Sequence, residues 1–292
     1  MLLPRFCYHE PENLEQALVI MNEVKGKGLP LAGGTDLLVN MKKGIMCPEN
    51  LICVSGIQKL RQIHAAKGKM NIGACVRVGE LAKSIEIRTF FSALAEGAMS
   101  LGSPLIRNMA TIGGNIVTAR PAADLPPSLM AYGARIMLRN IYGERLVVLE
   151  DFFKGPGETI RNSEEIVTEI LLNKPPEYSG AAYMKLGVRQ ALEISIVNVA
   201  VYMELNAKDG AICKPRVILG SVAPTPIRAF SSEQILSGEK PSKALFESAA
   251  EAASSDCKPI TDFRASEEYR KDMVKVLTKR ALVKAYREAR KE

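Results

Sequence analysis

The first pattern along the chain is an amphipathic helix. Over residues 12–24 the apolar positions Leu14, Ala17, Leu18 and Met21 recur at helical spacing, and Pro11 suits a first helical position. The apolar run Leu29–Ala32 predicts a buried strand, Leu37–Lys42 a short helix closed by Gly44, and Leu51–Val54 a second buried strand. Met70–Cys75 predicts a strand, Val78–Ser84 a helix, and Phe91–Leu101 a helix of small residues. Met109–Ile112 is an apolar run leading into Gly113-Gly114-Asn115, and Asp124 heads a helical pattern through Tyr132. Strand patterns follow at Arg135–Arg139, Arg145–Leu149 and Glu165–Leu172.

Lys174–Gly180, rich in Pro and Gly, breaks this periodicity and marks a boundary. Beyond it come strands at Ala181–Val188, Ser195–Leu205 and Arg216–Val222, then helices near 242–254 and 266–289. Strands and helices mix without regular alternation, so the expected class is α+β. The expected division is residues 1–177, with a small α/β unit over 1–55 and the rest over 56–177, followed by 178–292.

Composition narrows the classes. The 292 residues are 47% hydrophobic and 24% charged, which excludes disorder, collagen and a coiled coil as descriptions of the whole. The longest uncharged stretch, Asn108–Ala119, has 12 residues, short of the roughly 20 that a membrane span needs. No signal peptide is expected, and free thiols in a cytoplasm are the simplest account of Cys7, Cys47, Cys53, Cys75, Cys213 and Cys257. None of these pairs at C-x-x-C spacing, and His9 and His64 are the only histidines, so no metal site is expected. The net charge of +7 is concentrated at residues 264–292, which carry ten Lys/Arg against five acids. Such a helix suits either a solvated face or an acidic partner. Tyr269 and Tyr286 alone interleave with its basic residues, which argues against a base-stacking platform and against nucleic acid.

Two glycine motifs carry the chemistry. In Leu31-Ala32-Gly33-Gly34-Thr35-Asp36 a glycine pair lies between a strand and a helix, where backbone N–H groups can approach an anion. Thr35 suits a helix cap or a phosphate oxygen. The pattern G-x-G-x-x-G fails, because Leu31 follows Gly26 and Gly28. A P-loop fails too, because Gly34 stands where its lysine belongs, so an NTPase is not expected. Thr111-Ile112-Gly113-Gly114-Asn115 repeats the logic, and two such nests suit the two phosphates of a dinucleotide. Asp124 then serves as the helix cap or accepts from a ribose hydroxyl, and the residues alone leave both open.

Four stretches, Leu31–Leu38 (LAGGTDLL), Ile106–Leu125 (IRNMATIGGNIVTARPAADL), Ala182–Ile194 (AYMKLGVRQALEI) and Gly220–Arg228 (GSVAPTPIR), carry a resemblance in their order and spacing. They resemble the FAD-binding medium subunit of the molybdenum hydroxylases, the xanthine dehydrogenase and carbon monoxide dehydrogenase family. Asp262–Tyr269 (DFRASEEY) is similar to the end of bacterial xanthine-dehydrogenase-type subunits.

The resemblance implies a two-subdomain FAD-binding module of the vanillyl-alcohol-oxidase type with a smaller C-terminal α/β domain. It implies that the pyrophosphate lies on Leu29, Pro30, Leu31, Ala32, Gly33, Gly34, Thr35 and Asp36, and on Thr111, Ile112, Gly113, Gly114 and Asn115. Gly102 would lie against the flavin region, Asp124 at the adenosine ribose and Val167 as an apolar wall. Lys185 would face the N1/C2 edge, where a fixed cation stabilises the charge of reduced flavin. For Lys185 the plain alternative is an exposed strand lysine.

The subunit would take electrons from [2Fe–2S] clusters of a small partner and pass them to NAD. A molybdopterin-binding large subunit would hydroxylate a purine or another N-heterocycle, in a dimer of heterotrimers. No base or nucleophile for that chemistry is present on this chain. Two departures stand out: Leu192 replaces the acid that eukaryotic enzymes place beside the flavin, and Glu193 replaces the family's usual Asp. The cysteine-bearing insertion of the 4-hydroxybenzoyl-CoA reductase branch is absent. Within the family, a carbon monoxide dehydrogenase-type or nicotinate dehydrogenase-type FAD subunit stays open; the other classes that stay open are a self-contained FAD oxidase or reductase and a nucleic-acid-binding protein.

A valine at Gly33 or Gly114 is expected to block FAD and leave the chain folded, since loops tolerate such changes. Because His9, His64 and Cys75 lie outside the motifs, the FAD is expected to be non-covalent. Acid precipitation should release all flavin into the supernatant, and a yellow pellet would contradict this.

Overall fold

The computed structural model describes residues 2–189 and 193–291. A three-stranded parallel sheet forms first, in the order Cys7–His9, Asn50–Cys53, Gly28–Leu31. Its helix Leu14–Glu23 buries Leu14, Ala17, Leu18 and Met21, the stripe read from the sequence. The cap is Asn13, whose side chain accepts from the Gln16 N–H, so Pro11 lies outside the helix and does not start it. Leu37–Lys42 is helical as expected.

A five-stranded antiparallel sheet follows, in the order Ile63–Ala66, Lys69–Gly73, Ile166–Asn173, Arg135–Asn140, Gly143–Val148. Between its second and fourth strands the chain makes a helical excursion. The helices Val78–Lys83, Ser92–Ser100 and Leu125–Ala131 match expected patterns. Ile85–Phe90, Pro104–Arg107 and Ile112–Val117 were not expected, nor was Phe230–Leu236 later in the chain. These four helices, of four to seven residues, carry no apolar stripe that sets them apart from the loops around them. Their caps, Ser84, Ser103 and Thr111, are visible only once the flanking structure is known.

The last sheet is antiparallel, in the order Ser179–Leu186, Val197–Leu205, Ile212–Gly220, Ile227–Arg228. Both of its faces are buried. Ala181, Tyr183, Ala200, Tyr202 and Ile218 complete the core of the preceding layer. Ala182, Val199, Val201, Met203 and Leu219 pack with helices Phe230–Leu236, Lys243–Asp256 and Glu267–Arg290. This explains why Val197–Leu205 is almost continuously apolar and does not alternate. Tyr183 and Lys185 share the face turned toward the first core, because strand side chains alternate.

The C-terminal helix lies close to this sheet on small residues: Ala281, Ala285 and Ala289 are fully buried. Its basic side is laced by ion pairs, Lys271–Glu267, Lys275–Glu251, Lys279–Glu247 and Lys291–Glu177. Lys284 pairs with Glu96 of the helical excursion, which ties this helix to the first core. Gly180 faces the Ala285 carbonyl so closely that a Cβ there would lie 2.0 Å from its oxygen. Gly180→Ala must therefore part helix and strand, and we expect a loss of about 2 kcal/mol or more in urea unfolding. Gly56→Ala, with nothing within 4 Å of its Cβ, should stay within about 0.5 kcal/mol.

Candidate functional site

The first glycine motif leaves the end of the Gly28–Leu31 strand as an open turn. Among the described residues, the backbone N–H groups of Gly33, Gly34, Thr35 and Asp36 donate to nothing in the chain. Gly34 has φ +69°, a left-handed conformation that glycine adopts at no steric cost. Thr35 makes no cap. Asp36 heads the helix without a side-chain cap bond, and its carboxylate instead accepts from Asn40 at 2.8 Å. Half-buried and unpaired, this row of donors is the chemistry a phosphate needs.

The second motif differs from its expected form. Gly113 and Gly114 are not a loop nest but the first turn of helix Ile112–Val117, capped by Thr111, whose hydroxyl accepts from the Gly114 N–H at 3.1 Å. Ile112 N–H donates to Val76 and Gly113 N–H to Ala74, so these donors are already engaged. Gly113 is needed for packing, since a Cβ would lie 2.7 Å from the Ala74 Cβ. Asn115 Oδ1 accepts from the Leu125 N–H at 3.4 Å, joining this helix to the one after Asp124.

The two motifs meet. A Cβ on Gly33 would lie 2.0 Å from the Met109 carbonyl oxygen, so the open turn rests on the backbone that leads into the second motif. The expectation that valine at Gly33 would leave a folded chain meets an obstacle here: the side chain would displace backbone. At Gly114 only the Thr111 hydroxyl stands near, at 2.9 Å.

Asp124 and Lys185 form a buried ion pair where the two cores meet. Asp124 does not cap its helix. The Lys185 ammonium donates to its two carboxylate oxygens at 2.9 and 3.0 Å, and to the carbonyls of Ser100 and Glu193, each at 3.2 Å. Tyr183 and Ser195 donate their hydroxyls to the same carboxylate at 2.7 and 3.1 Å. The lysine side chain is only 10% exposed, which rules out the plain reading of a surface strand lysine. Burial raises the Asp124 carboxyl above its ordinary value, opposed by Lys185 and then by its hydrogen bonds.

The resemblance puts Asp124 and Lys185 at opposite ends of an FAD, whereas their side chains touch. Tyr183, Ser195 and Asn198 escaped the sequence reading. Tyr183 alone had a signal, standing two residues before Lys185 on one strand face. Gly102, at φ +52°, lies two residues after the Ser100 carbonyl that holds Lys185. Val167 is buried in the five-stranded sheet opposite Leu138, where the strand bulges. Leu192 lies outside the described residues. Glu193 pairs with Arg189 at 3.1 Å.

Among the described residues no group of His, Cys, Asp or Glu could hold a metal ion, and all six cysteines are free. Among the described residues no helix is long and apolar enough to cross a membrane.

Open backbone amides, a glycine pressed on a second motif and a buried cation together suit a dinucleotide that bears a redox ring. Family comparison agrees. Residues 4–175 match the FAD binding domain in molybdopterin dehydrogenase, and residues 181–285 match the CO dehydrogenase flavoprotein C-terminal domain. The chain therefore belongs to the FAD-binding subunits of the molybdenum hydroxylases, which are oxidoreductases. It is 32% identical to the glyceraldehyde dehydrogenase medium chain of Sulfolobus acidocaldarius, over 96% of this chain and 98% of that one. It is 29% identical to a putative xanthine dehydrogenase FAD-binding subunit of Escherichia coli, over 95% of each. A solved carbon monoxide dehydrogenase from Hydrogenophaga pseudoflava contains a chain that superposes with a TM-score of 0.93 at 32% identity, over 98% of this chain and 99% of that one.

Removing Lys185 tests the pair. The folded carboxyl of Asp124 is already raised, so its ionised form lowers stability as pH climbs past the unfolded value. Lys185→Met raises it further, at about 1.4 kcal/mol per pH unit of displacement. The Tm deficit of this variant should be larger at pH 8 than at pH 5, and an equal deficit would contradict the pairing.

Proposed function

We propose that this chain carries one non-covalently held FAD and serves as the electron-transfer subunit between a [2Fe–2S] small subunit and NAD. A molybdopterin-binding large subunit would hydroxylate the substrate, a purine or another N-heterocycle, in a cytoplasmic dimer of heterotrimers. FAD binding would fall on residues 1–177, with residues 178–292 closing the flavin side.

The observation that carries the reading is the row of open amides at Gly33, Gly34, Thr35 and Asp36, set against Met109. In the same reading the strand Gly28–Leu31 and Ala32 after it lead the chain to the pyrophosphate, and Thr111–Asn115 supports it from the second side. Here the second motif acts through packing and the Thr111 cap, since its first-turn amides are engaged. The flavin end of the site would be held by Gly102, Val167 and the Asp124–Lys185 pair. Contact between these two side chains favours placing Asp124 beside the ring and not at the adenosine ribose.

When bound, the flavin supplies the conversion between single electrons and a two-electron transfer to an acceptor. The chain's own part is to hold the phosphates with backbone donors, exclude water from the ring and keep a cation near its N1/C2 edge. The names of the relatives point to different oxidised substrates, glyceraldehyde, xanthine and carbon monoxide, at identities of 29–32%. This fits chemistry that lies on another subunit.

Purified with FAD, the chain should be bleached anaerobically by NADH, yet should not oxidise xanthine, nicotinate, glyceraldehyde or carbon monoxide alone. Oxidation of any of these by the isolated chain would favour a self-contained flavin oxidase. Absence of bleaching would remove NAD as the acceptor.

A further inference from the structure

The hydroxyls around Asp124 exceed what a simple ion pair needs. We propose that Tyr183 and Ser195, the latter oriented by Asn198, are positioning residues for Lys185: they hold the Asp124 carboxylate so that it does not draw in and neutralise the lysine, whose charge then acts on the flavin. The proposal rests on the reading of Lys185 as the flavin-facing cation.

Four observations carry it. First, the Lys185 ammonium is not given wholly to Asp124. It is shared with the Ser100 carbonyl, at the last turn of helix Ser92–Ser100, and with the Glu193 carbonyl, each at 3.2 Å. A helix C-terminus attracts a cation, so this arrangement competes with the carboxylate. Second, Tyr183 is a dedicated donor. Its phenol is pushed well above its ordinary value, by burial and then by the Asp124 charge, and so keeps its proton 2.7 Å from the carboxylate. Third, Asn198 Nδ2 donates to the Ser195 oxygen at 3.2 Å, which leaves the Ser195 proton free to point at Asp124, 3.1 Å away.

Fourth, the strand is built around Asn198 at a cost. Asn198 sits opposite Lys185 in the sheet, and its Oδ1 is buried without a partner. A buried acceptor left unpaired is destabilising. Gly220 is required beside it, since a Cβ there would lie 2.1 Å from that oxygen. Ala200, two residues on along the same face, shows that a small apolar side chain suits this layer. A position filled only for packing would not take an amide.

A carboxylate with three partners spreads its charge over all of them. Without the two hydroxyls, Lys185 is its one remaining side-chain donor. The ammonium is then drawn fully onto Asp124, and its field at the ring falls. Among the described residues, Glu96, whose carboxylate accepts from the Tyr183 N–H at 2.9 Å and pairs with Lys284, and Glu193, whose carbonyl accepts from Lys185 and whose carboxylate pairs with Arg189, also border this network. Both stay in place when the hydroxyls go.

The test is the midpoint potential of bound FAD at pH 8, measured by dye equilibration on the full chain. In Tyr183→Phe/Ser195→Ala, reduced FAD should bind about tenfold more weakly relative to oxidised FAD, a potential lower by about 30 mV for two electrons. Tyr183→Phe alone, which removes one oxygen, should move the potential in the same direction if the double variant does not fold. A merely structural role would weaken oxidised and reduced FAD equally, and an unchanged potential in the hydroxyl variants overturns the proposal. Lys185→Met separates the two failures. If it lowers the potential and the hydroxyl variants do not, only the positioning role is lost. If it too leaves the potential unmoved, the flavin-facing reading falls and the proposal with it.

Discussion

The site depends on one constraint: the strand Ser179–Leu186 and its neighbour Val197–Leu205 are buried on both faces. A strand lysine normally turns to solvent, where its charge is hydrated. Here the alternation that sends Ala182 and Met184 toward the C-terminal helices sends Tyr183 and Lys185 toward the first core. Lys185 is thereby fixed against Asp124, which the helical excursion delivers from the other side. A one-residue slip of this strand would exchange every such side chain between faces. Gly180 on Ala285, and the Ala181 N–H donating to the Glu288 carboxylate at 3.3 Å, hold the register by tying strand and helix together.

Burying that ion pair is not a route to stability. Removing two charges from water is often less favourable than packing apolar groups of similar size. The raised Asp124 carboxyl is the sign of that cost, and the orphan oxygen of Asn198 adds to it. Groups that destabilise a fold and converge on one place mark function more reliably than groups that stabilise it. The open amides of Gly33–Asp36 make the same point on the phosphate side, since backbone donors in a fold are usually paired.

Much of this was legible in the sequence. The helix stripe at Leu14–Met21, the short helix Leu37–Lys42 and the long C-terminal helix follow from spacing alone, and the glycine motifs drew attention to two segments that meet in the fold at Gly33 and Met109. The division of labour between those motifs did not. Whether a Gly-Gly pair leaves its amides open, as at Gly33, or joins a capped helix, as at Gly113, depends on tertiary partners such as Ala74 and Val76. Pairing of Asp124 with Lys185 was hidden for the same reason, because it spans 61 residues and arises only when the two cores meet. Ser195 and Asn198 are ordinary residues in an apolar run, and only their hydrogen bonds give them a role.

The central claim is that the open turn at Gly33–Asp36 receives the dinucleotide phosphates while the Asp124–Lys185 pair flanks the ring. Amide hydrogen exchange of the chain with and without FAD tests both halves together. The account predicts that FAD slows exchange at Gly33, Gly34, Thr35 and Asp36, and in the segment around Lys185. Protection confined to other segments, with these amides exchanging as fast as in the apo-chain, would contradict it.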